Sequence, residues 1–531
     1  MITEDEVFRL GSREKAWNKY CGFLDLSLPE FMEIQEQLLL KQIDLVGDSP
    51  LARQFMPSKP ASVAEFRETV PLTTYDDYAW ALREKNEAVL ALKPYCWAHT
   101  SGRGGTPKWV PYTDRAIEMF SNVGVASIIL ACASRKGEVN FGSGIRILTN
   151  LPPAPYMTGL LADILVPRMG ARIIPPPDEY ADADFETKIR AGFAIALRSG
   201  VDVLTSMSSV LLKMGERFTE SSGSLKLSRG MLHPVIMWRL LTAWLRSKRE
   251  RRTMLPRDLW PLKGLSCYGM DTGIYRERLK YYWGKEPFES YGATETGLIA
   301  THAWNKKYMT FVPSFCFLEF IPEEDWLKSR EDKAFRPRTV LLDEVKPGHR
   351  YEVVTTNFHG MPFLRYRLGD LVRIVAMEDR EAGIRLPQMS FESRADDIID
   401  IAGFARLDEK TVWQALVNAG AAFEDWAARK EYEDSKPVLR LYIELKKAVD
   451  AGELAGRIHR ELGAINRDYA NLESMLGVMP LRLYLLAGGS FQRYLEEKRR
   501  EGVNLAQLKP PHMNASDAII ESLRKTAPDT N

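Results

Sequence analysis

The spacing of apolar positions changes from one region of the chain to the next. Between residues 31 and 40 apolar side chains recur three and four positions apart among strong helix formers, and we expect residues 1–60 to be helical. From 116 to 230, helical stretches alternate with short β-rich runs, namely Ile145–Leu148, Ala171–Ile174 and Val201–Leu204. This alternation predicts an α/β domain in which helices cover the sheets.

The pattern of charged and apolar residues changes after Arg394. Charged helical stretches there alternate with β-rich runs such as 438–443, which predicts a compact α+β unit of the size of a small domain. We therefore expect a large N-terminal domain, 1–393, and a small C-terminal domain, 394–531. A chain of 531 residues is also too long for one ordinary core.

Local signals place several element boundaries. Residues 70–78 read as an extended piece followed by an N-capped helix, and the Tyr112-Thr113-Asp114 run reads as the cap of a helix beginning near Arg115. Residues 235–252 read as a helix with a basic tail. A nucleic-acid or membrane patch is one interpretation of that tail, but no basic excess elsewhere supports it, and a solvated helix end is favoured.

Composition narrows the class of protein. A hydrophobic content of 45% with 27% charged residues is typical of a globular chain, and the formal charge of +1 gives no argument for nucleic acid or anionic membrane as a partner. The five cysteines and seven histidines are dispersed without metal-ligand spacing, which argues against a zinc site and favours a reducing cytoplasm. The start does not resemble a signal peptide, and the apolar run near 123–134 is too short to cross a bilayer.

Candidate chemistry begins in the stretch His99–Thr113, which reads HTSGRGGTPKWVPYT. Glycines allow backbone N–H groups to approach a phosphate, hydroxyls add donors, and Lys108 supplies a neutralising charge. An exposed surface turn is the alternative. The stretch is not a P-loop, because proline precedes Lys108 and tryptophan follows it.

Three later stretches carry further polar signals. The run 288–297 places Thr294 beside Glu295 in a Gly-flanked turn, where a phosphate donor and a Mg²⁺ ligand would be useful. The run 363–370 is β-like and closed by Gly-Asp, so that Asp370 is a candidate for binding ribose hydroxyls; a hairpin turn is the alternative. The charged run 393–403 lies where the composition shifts.

Taken in order, these segments resemble the adenylate-forming superfamily of acyl- and aryl-CoA ligases, luciferases and peptide-synthetase adenylation domains. TSGRGGTPK is similar to its phosphate loop, YGATETG to its Tyr-Gly-x-Thr-Glu motif, YRLGD to its ribose motif and SRADDIIDIAG to its hinge. The flanks are most similar to the auxin-responsive Gretchen Hagen acyl acid–amido synthetases. The resembling flanks are the LWP run at 259, the YGM run at 268 with Tyr275, the VPLTTY run at 70 and the tail GSF…GVNLAQLKPP.

The resemblance implies that ATP and an acid form an acyl-adenylate, with Mg²⁺ and ATP as cofactors, and that the acyl group then passes to an amine such as an amino acid. Thr294, Glu295 and Lys509 would act in catalysis, with Glu295 also on the metal, and a mobile small domain would turn about Asp396. The implied nucleotide-binding set is Thr100, Ser101, Gly102, Arg103, Gly104, Gly105, Lys108, Tyr291, Gly292, Asp370 and Arg394. The implied acyl-pocket set is Ser206, Met207, Tyr268, Gly269 and Met270.

Alternatives to this activity stay open. Coenzyme A is the second candidate acceptor and a carrier-protein thiol the third, because phenylacetate-CoA ligases share several of these motifs. Arg103 and Gly104 stand where hydroxyls are usual, which favours either a triphosphate contact by the guanidinium or an inactive nucleotide-binding module. Ser393 and Asp400 also depart from the hinge pattern, which usually has glycine and lysine there. We expect neither a nucleic-acid nor a membrane partner, and the oligomeric state is open.

Overall fold

The chain folds into a large α/β domain and a separate C-terminal domain, which confirms the predicted fold class. The computed structural model describes residues 13–100, 108–149, 154–157, 159–160, 164, 169–180, 183, 185–222, 233–268, 272–332, 334–394, 399–402, 405–407, 409–477, 479–500 and 512–525.

The helices and strands are numbered in chain order over these residues. The α-helices are α1 Arg13–Cys21, α2 Leu28–Val46, α3 Pro50–Arg53, α4 Val63–Thr69, α5 Tyr75–Leu82, α6 Asp114–Cys132, α7 Phe185–Ser199, α8 Ser208–Ser222, α9 Pro234–Arg249, α10 Pro256–Leu259, α11 Thr272–Trp283, α12 Glu323–Glu331, α13 Glu409–Asn418, α14 Ala451–Ile465, α15 Arg467–Leu476, α16 Ser490–Arg500 and α17 Asp517–Arg524. The strands are β1 Cys96–Thr100, β2 Lys108–Tyr112, β3 Arg146–Thr149, β4 Arg172–Ile174, β5 Val203–Met207, β6 Gly264–Tyr268, β7 Pro287–Ala293, β8 Gly297–His302, β9 Met309–Phe311, β10 Cys316–Pro322, β11 Arg350–Asn357, β12 Tyr366–Ala376, β13 Gln388–Arg394, β14 Ile399–Ile401, β15 Ala405–Leu407, β16 Phe423–Glu433, β17 Lys436–Leu445 and β18 Leu481–Leu486.

The large domain contains one sheet of eleven strands in the order β10-β11-β12-β13-β9-β8-β7-β6-β5-β3-β4. Strands β4, β3, β5, β6 and β7 are parallel, and from β7 to β10 every neighbouring pair is antiparallel. Helices pack on the parallel half, as βαβ connections require. The β-rich runs predicted between 145 and 204 are the parallel strands β3, β4 and β5.

Several predicted boundaries are confirmed. Helix α2 covers the predicted helical run at 31–40, and residues 1–12 lie outside the described part of the chain. Helix α6 begins at Asp114, and the Thr113 hydroxyl accepts a hydrogen bond from Ala116 N at 3.2 Å, which is the predicted cap. One prediction is wrong: the run 363–370 is not closed by Gly-Asp, because Gly369 (φ +70°) bends β12 through an irregular register and the strand continues to Ala376.

Helix α6 is the main helix of the large core. By length and composition alone it is long and apolar enough to cross a membrane, but 72% of its most apolar window is buried inside the protein. It packs against α1 and the strands β6, β7 and β8. It is therefore a core helix, longer than the apolar run on which the sequence analysis relied.

The C-terminal domain has its own core. Its sheet has the order β16-β17-β18, with an antiparallel and a parallel pair, and the hairpin β14–β15 lies beside it. Helices α13, α14 and α15 bury side chains such as Leu416, Ile458 and Tyr469 against Trp426 of this sheet. The α+β architecture was predicted, whereas its boundary at residue 394 stays a prediction.

Candidate functional site

The hairpin β1–β2 carries Lys108 into the large domain. Thr100 pairs with Lys108 at the connected end of this antiparallel pair, and residues 101–107, which lie between them in the sequence, are outside the described part of the chain. Lys108 Nζ lies 3.2 Å from Glu295 Oε1 and 5.4 Å from the centre of the Tyr75 ring. The predicted phosphate-loop lysine and the predicted metal ligand are therefore neighbours, although 187 positions separate them.

The turn between β7 and β8 presents Glu295. A Cβ on Gly292 would lie 2.0 Å from the carbonyl oxygen of Gly297, so only glycine permits this close approach. The Tyr112 hydroxyl donates to the Thr294 carbonyl at 2.6 Å, and Asn357 Nδ2 donates to the Glu295 carbonyl at 2.9 Å. The backbone of the turn is thus fixed from two other strands, β2 and β11.

Two side-chain bridges join this region to β12. The Tyr366 hydroxyl lies 3.2 Å from Glu295 Oε1, and the Tyr291 hydroxyl donates to Asp370 Oδ2 at 3.0 Å. Strands β7 and β12 are four places apart in the sheet, which in a flat sheet would separate them by about 19 Å. The antiparallel half of the sheet therefore curls, and the curl brings the second and third predicted motifs together.

Charge compensation explains how Glu295 is accommodated. Its side chain is only 9% exposed, and Lys108 and Tyr366 both contact the same carboxylate oxygen. Burial raises the pKa of Tyr75 to about 12, and its hydroxyl accepts from Trp109 N at 2.8 Å and donates to Trp109 O at 3.1 Å. Tyr75 is therefore a neutral support for the strand that carries Lys108.

The predicted acyl-pocket residues lie at the ends of neighbouring parallel strands. Ser206 and Met207 end β5 opposite Cys267 and Tyr268 of β6, while Gly269 and Met270 lie outside the described residues. In open α/β sheets ligands bind beyond such strand ends. Met475 of α15 packs with Met207, so the C-terminal domain contacts this region.

A buried polar chain lies next to these strand ends. Ser208 Oγ is 2.5 Å from Thr272 Oγ1, and the Glu289 backbone N–H donates to His302 Nδ1 at 3.0 Å. Burial raises the pKa of Glu289, despite a hydrogen bond from Thr272, and burial lowers the pKa of His302 to about 3. The environment thus favours the uncharged forms of both groups.

The structure brings together most of the predicted residues that it describes. Lys108, Tyr291, Gly292, Thr294, Glu295 and Asp370 lie within one region, and Arg394 stands opposite Asp370 in the β12–β13 register. Ser101 to Gly105, Asp396 and Lys509 lie outside the described residues.

Three residues of this site were missed by the sequence analysis: Tyr75, Asn357 and Tyr366. Tyr366 stands inside the YRLGD segment and Tyr75 ends the VPLTTY segment, so both lie within motifs that the sequence does show. Asn357 at the end of β11 lies outside every motif identified in the sequence.

Models of one protein family match three parts of the chain. They describe the N-terminal, central and C-terminal domains of the GH3 family and match residues 23–207, 309–394 and 409–518. The central match covers β9 to β13, and the C-terminal match covers most of the small domain.

Individual relatives and structures agree with these models. A jasmonoyl–L-amino acid synthetase from Oryza sativa subsp. japonica, GH3.5, is 27% identical over 287 residues, which is 49% of this chain and 48% of that protein. The indole-3-acetic acid-amido synthetase GH3.10 from Arabidopsis thaliana is 27% identical over 274 residues, 47% of this chain and 44% of the relative. The chain thus spans about half the length of such curated relatives.

Two solved structures show the same fold at low sequence identity. The acyl acid amido synthetase AtGH3.15 in complex with 2,4-DB has a TM-score of 0.56 at 18% identity and covers 96% of both chains. A 2-hydroxyisobutyryl-CoA ligase in complex with 2-HIB-AMP and CoA has a TM-score of 0.54 at 16% identity, covering 86% of this chain and 85% of that one.

Proposed function

Because the chain belongs to the GH3 family, we propose that it is an ATP-dependent ligase that converts a carboxylic acid into its acyl-adenylate and then into an amide. The observation that carries the proposal is the convergence of Lys108, Glu295, Tyr366, Tyr291 and Asp370 beside the ends of the parallel strands. These groups come from three separate parts of the sequence, and each has the chemistry that one portion of a nucleotide needs.

In the first step a carboxylate oxygen attacks the α-phosphorus of ATP. A new P–O bond forms, the bond to the bridging oxygen breaks, and pyrophosphate leaves with its electron pair. Since two anions must meet, the protein contributes mainly orientation and positive charge. Lys108 or Arg103 would supply that charge, the hydroxyls of Thr100 and Ser101 and the glycine backbone would hold the β- and γ-phosphates, and Thr294 would contact the α-phosphate.

The Tyr291–Asp370 pair binds the ribose of the nucleotide. A carboxylate that accepts one hydrogen bond from Tyr291 retains acceptor capacity for ribose hydroxyls. Arg394, which pairs with Asp370 in the register of the neighbouring strand, would act beside it. Gly292, through the turn that it permits, sets the separation between the sugar and the phosphate ends of the site.

The donor set fits magnesium bound together with nucleotide. Within the described residues no group of three or more histidine, cysteine, aspartate or glutamate side chains could hold a metal ion alone. Mg²⁺ is commonly held by one or two carboxylates together with substrate phosphates and water, and Glu295 is the carboxylate beside Lys108. When bound there, Mg²⁺ would offset phosphate charge.

In the second step an amine nitrogen attacks the acyl carbon. The C–N bond forms, the C–O bond to AMP breaks and AMP leaves with its electron pair, and the nitrogen releases one proton to solvent. Lys509 neutralises the reacting carboxylate and α-phosphate in the first step, and rotation of the small domain about Asp396 then opens a path for the acceptor. The names of the relatives, a jasmonoyl–L-amino acid synthetase and an indole-3-acetic acid-amido synthetase, support an amino acid as acceptor and an apolar acid as donor.

The acyl group occupies the space beyond β5 and β6. Ser206, Met207 and Tyr268 at the ends of these strands are assigned to it, together with Gly269 and Met270, which follow Tyr268 in the sequence. Burial raises the pKa of the neighbouring Glu289 and lowers the pKa of His302, which favours the uncharged form of each. An uncharged surrounding suits a carboxylic acid whose side chain is apolar. The five cysteines are free thiols, which supports a reducing, cytoplasmic location.

Acid-dependent exchange of labelled pyrophosphate into ATP tests the first step. A panel of aliphatic, aromatic and indole carboxylic acids, including jasmonate and indole-3-acetate, should contain at least one that supports exchange. Lys108→Met should abolish exchange, whereas Lys136→Met, which removes a surface lysine paired with Asp25, should not. ATP binding with no exchange for any acid would refute the enzyme and favour an inactive nucleotide-binding module.

Product mass separates the acceptors. The acid that supports exchange is incubated with ATP and either a mixture of amino acids or coenzyme A. A product heavier by an amino acid less water supports the amide ligase. An acyl-CoA product with no amide would make the protein an acyl-CoA ligase and overturn the second step.

A further inference from the structure

Helix α9, Pro234–Arg249, has an outer face that is unusually apolar. Its inner side packs through Ile236 and Ala243 into the core beside the parallel strands. Five large apolar side chains on the other side are each between 48% and 69% exposed, namely Met237, Trp238, Leu241, Trp244 and Leu245. Spacings of three, four, seven and eight residues place them in one stripe along the helix. A contiguous exposed patch of this kind marks a binding surface.

The charges of the same helix have only one sign. Its sixteen residues include four cations and no aspartate or glutamate. Two of the cations make hydrogen bonds within the protein. Arg239 donates to the Leu259 carbonyl at 3.2 Å and Arg246 donates to the Asp258 carbonyl at 3.1 Å.

The remaining cations extend from the end of the stripe. Lys248 and Arg249 are exposed and, with Arg251, form no ion pair within the part of the chain that the structure describes. Lys248 Nζ lies 5.9 Å from the Trp244 ring centre, so charge and apolar surface adjoin. The nearest acid on this side, Glu250, is already paired with Arg252. Among the described residues, therefore, no neighbouring carboxylate neutralises the positive charge of the patch.

We propose that α9 docks on an anionic phospholipid surface. A helix with exposed tryptophans and leucines on one face, basic residues beside them and no acid is typical of a helix that lies in the membrane interface. Trp238 and Trp244 would lie at the level of the headgroups, and Lys248, Arg249 and Arg251 would contact lipid phosphates. This surface is separate from the nucleotide site and does not depend on the proposed reaction.

Other occupants fit the patch less well. Two copies of α9 brought together would bury the apolar stripes but would set no acid against any of the cations. A nucleic acid would neutralise the cations but leave Met237, Leu241 and Leu245 in water. From the sequence alone we expect no membrane partner, because no basic excess elsewhere in the chain supports one. The exposed stripe beside the basic tail of α9 is the observation that changes this expectation.

Co-sedimentation with vesicles tests the proposal on the full chain. The wild-type protein should pellet with mixed phosphatidylglycerol–phosphatidylcholine vesicles and far less with phosphatidylcholine alone, and its tryptophan emission should shift to shorter wavelength. Trp238→Ala/Trp244→Ala and Lys248→Glu/Arg249→Glu should each lower the partition coefficient at least about tenfold, because each removes two interfacial contacts. Since these side chains are exposed, both variants should keep the wild-type circular dichroism spectrum and ATP binding.

Matched controls come from the small domain. Trp413→Ala removes a tryptophan that is 46% exposed on α13, and Lys446→Glu/Lys447→Glu reverses two exposed lysines. Neither control should change vesicle binding. Absence of pelleting, equal binding to neutral vesicles or an equal loss in the controls would overturn the proposal. Dimerisation without lipid that Trp238→Ala/Trp244→Ala abolishes would instead assign the face to a second copy, and RNA retention without vesicle binding would assign it to nucleic acid.

Discussion

His512 lies three positions after Lys509 in the sequence and contacts two acidic residues of the small domain. Its replacement by glutamine gives a quantitative test of the structure. Its Nδ1 lies 2.6 Å from Glu409 and its Nε2 lies 2.7 Å from Asp425. The ring also stacks on Trp426 with 4.5 Å between ring centres. Both ring nitrogens face carboxylates, so the charged imidazolium, which has two donors, is the form that satisfies the site.

The expected loss can be estimated from these two contacts. A hydrogen bond between charged groups contributes roughly 1.5–3 kcal/mol when it is partly buried, which applies to Asp425, whose side chain is 29% exposed. Glu409 is 57% exposed, so its contact adds only about 0–1 kcal/mol. Glutamine retains one donor group, and we therefore expect His512→Gln to destabilise the contact by about 2 kcal/mol at pH 6, a change of about thirtyfold in the local opening equilibrium.

The loss should depend on pH with a definite sign. Burial by itself lowers the pKa of His512, but the hydrogen bonds and charges of Asp425 and Glu409 outweigh burial and raise that pKa above its ordinary value of 6.5. A raised pKa in the folded protein means that stabilisation is complete below pH 6.5 and is lost as pH rises through the folded value. The difference between wild type and variant should therefore be smaller at pH 9 than at pH 6.

Amide hydrogen exchange measures this contact directly. The Ala428 N–H donates to the His512 carbonyl at 2.6 Å, so its protection, corrected for the pH dependence of intrinsic exchange, reports the opening of this contact. His459→Gln is the matched control, because His459 also makes two 3.0 Å contacts in the same domain, to Tyr469 and Glu473. Equal losses at both pH values, or an equal effect of the control on Ala428, would refute the reasoning.

Three further predictions concern the candidate site. Gly292→Ala should lower the free energy of unfolding of the large domain by about 3 kcal/mol, because its Cβ would meet a backbone oxygen at 2.0 Å; urea unfolding checks this, and Gly142→Ala, where the added Cβ has open space, should be neutral. Tyr366→Phe should reduce the rate of pyrophosphate exchange about tenfold or more while leaving the fold intact, because Glu295 loses the hydroxyl 3.2 Å away; an unchanged rate would remove Tyr366 from the site. Lys509→Ala should abolish adenylation with ATP binding little changed, measured by exchange and by calorimetry; unaltered turnover would exclude Lys509 from the mechanism.

Local sequence signals predicted local features well. The Thr113 cap, the extended runs near 147, 173 and 204, and the Gly-bounded turn that presents Glu295 all follow from patterns within a few residues. The nearness of Lys108, Glu295 and Asp370 was inferred from the order of motifs in a resembling family. That inference required the family pattern, because nothing in the spacing of the residues encodes which strands become neighbours.

Features that depend on distant pairing could not be predicted. Asn357 supports the backbone of Glu295 from β11, and His512 meets acids from α13 and β16, contacts that only the folded chain creates. Gly369 reads as a turn residue, yet in the sheet it lies in a bulge, because β12 pairs with β11 on both sides of it and its pairing with β13 begins at Asp370. Helix α9 likewise shows its apolar positions in the sequence but not which of them the protein leaves in water.

The curl of the sheet also sets an order of assembly. Strand β9 meets β13 through only two residue pairs, Thr310 with Gln388 and Met309 with Met389, and this short seam joins the half carrying Tyr291 and Glu295 to the half carrying Tyr366 and Asp370. Closing such a long-range junction is slow compared with forming hairpins. A pocket able to bind nucleotide therefore exists only after β9 and β13 have paired, and a bound nucleotide would in turn stabilise that pairing.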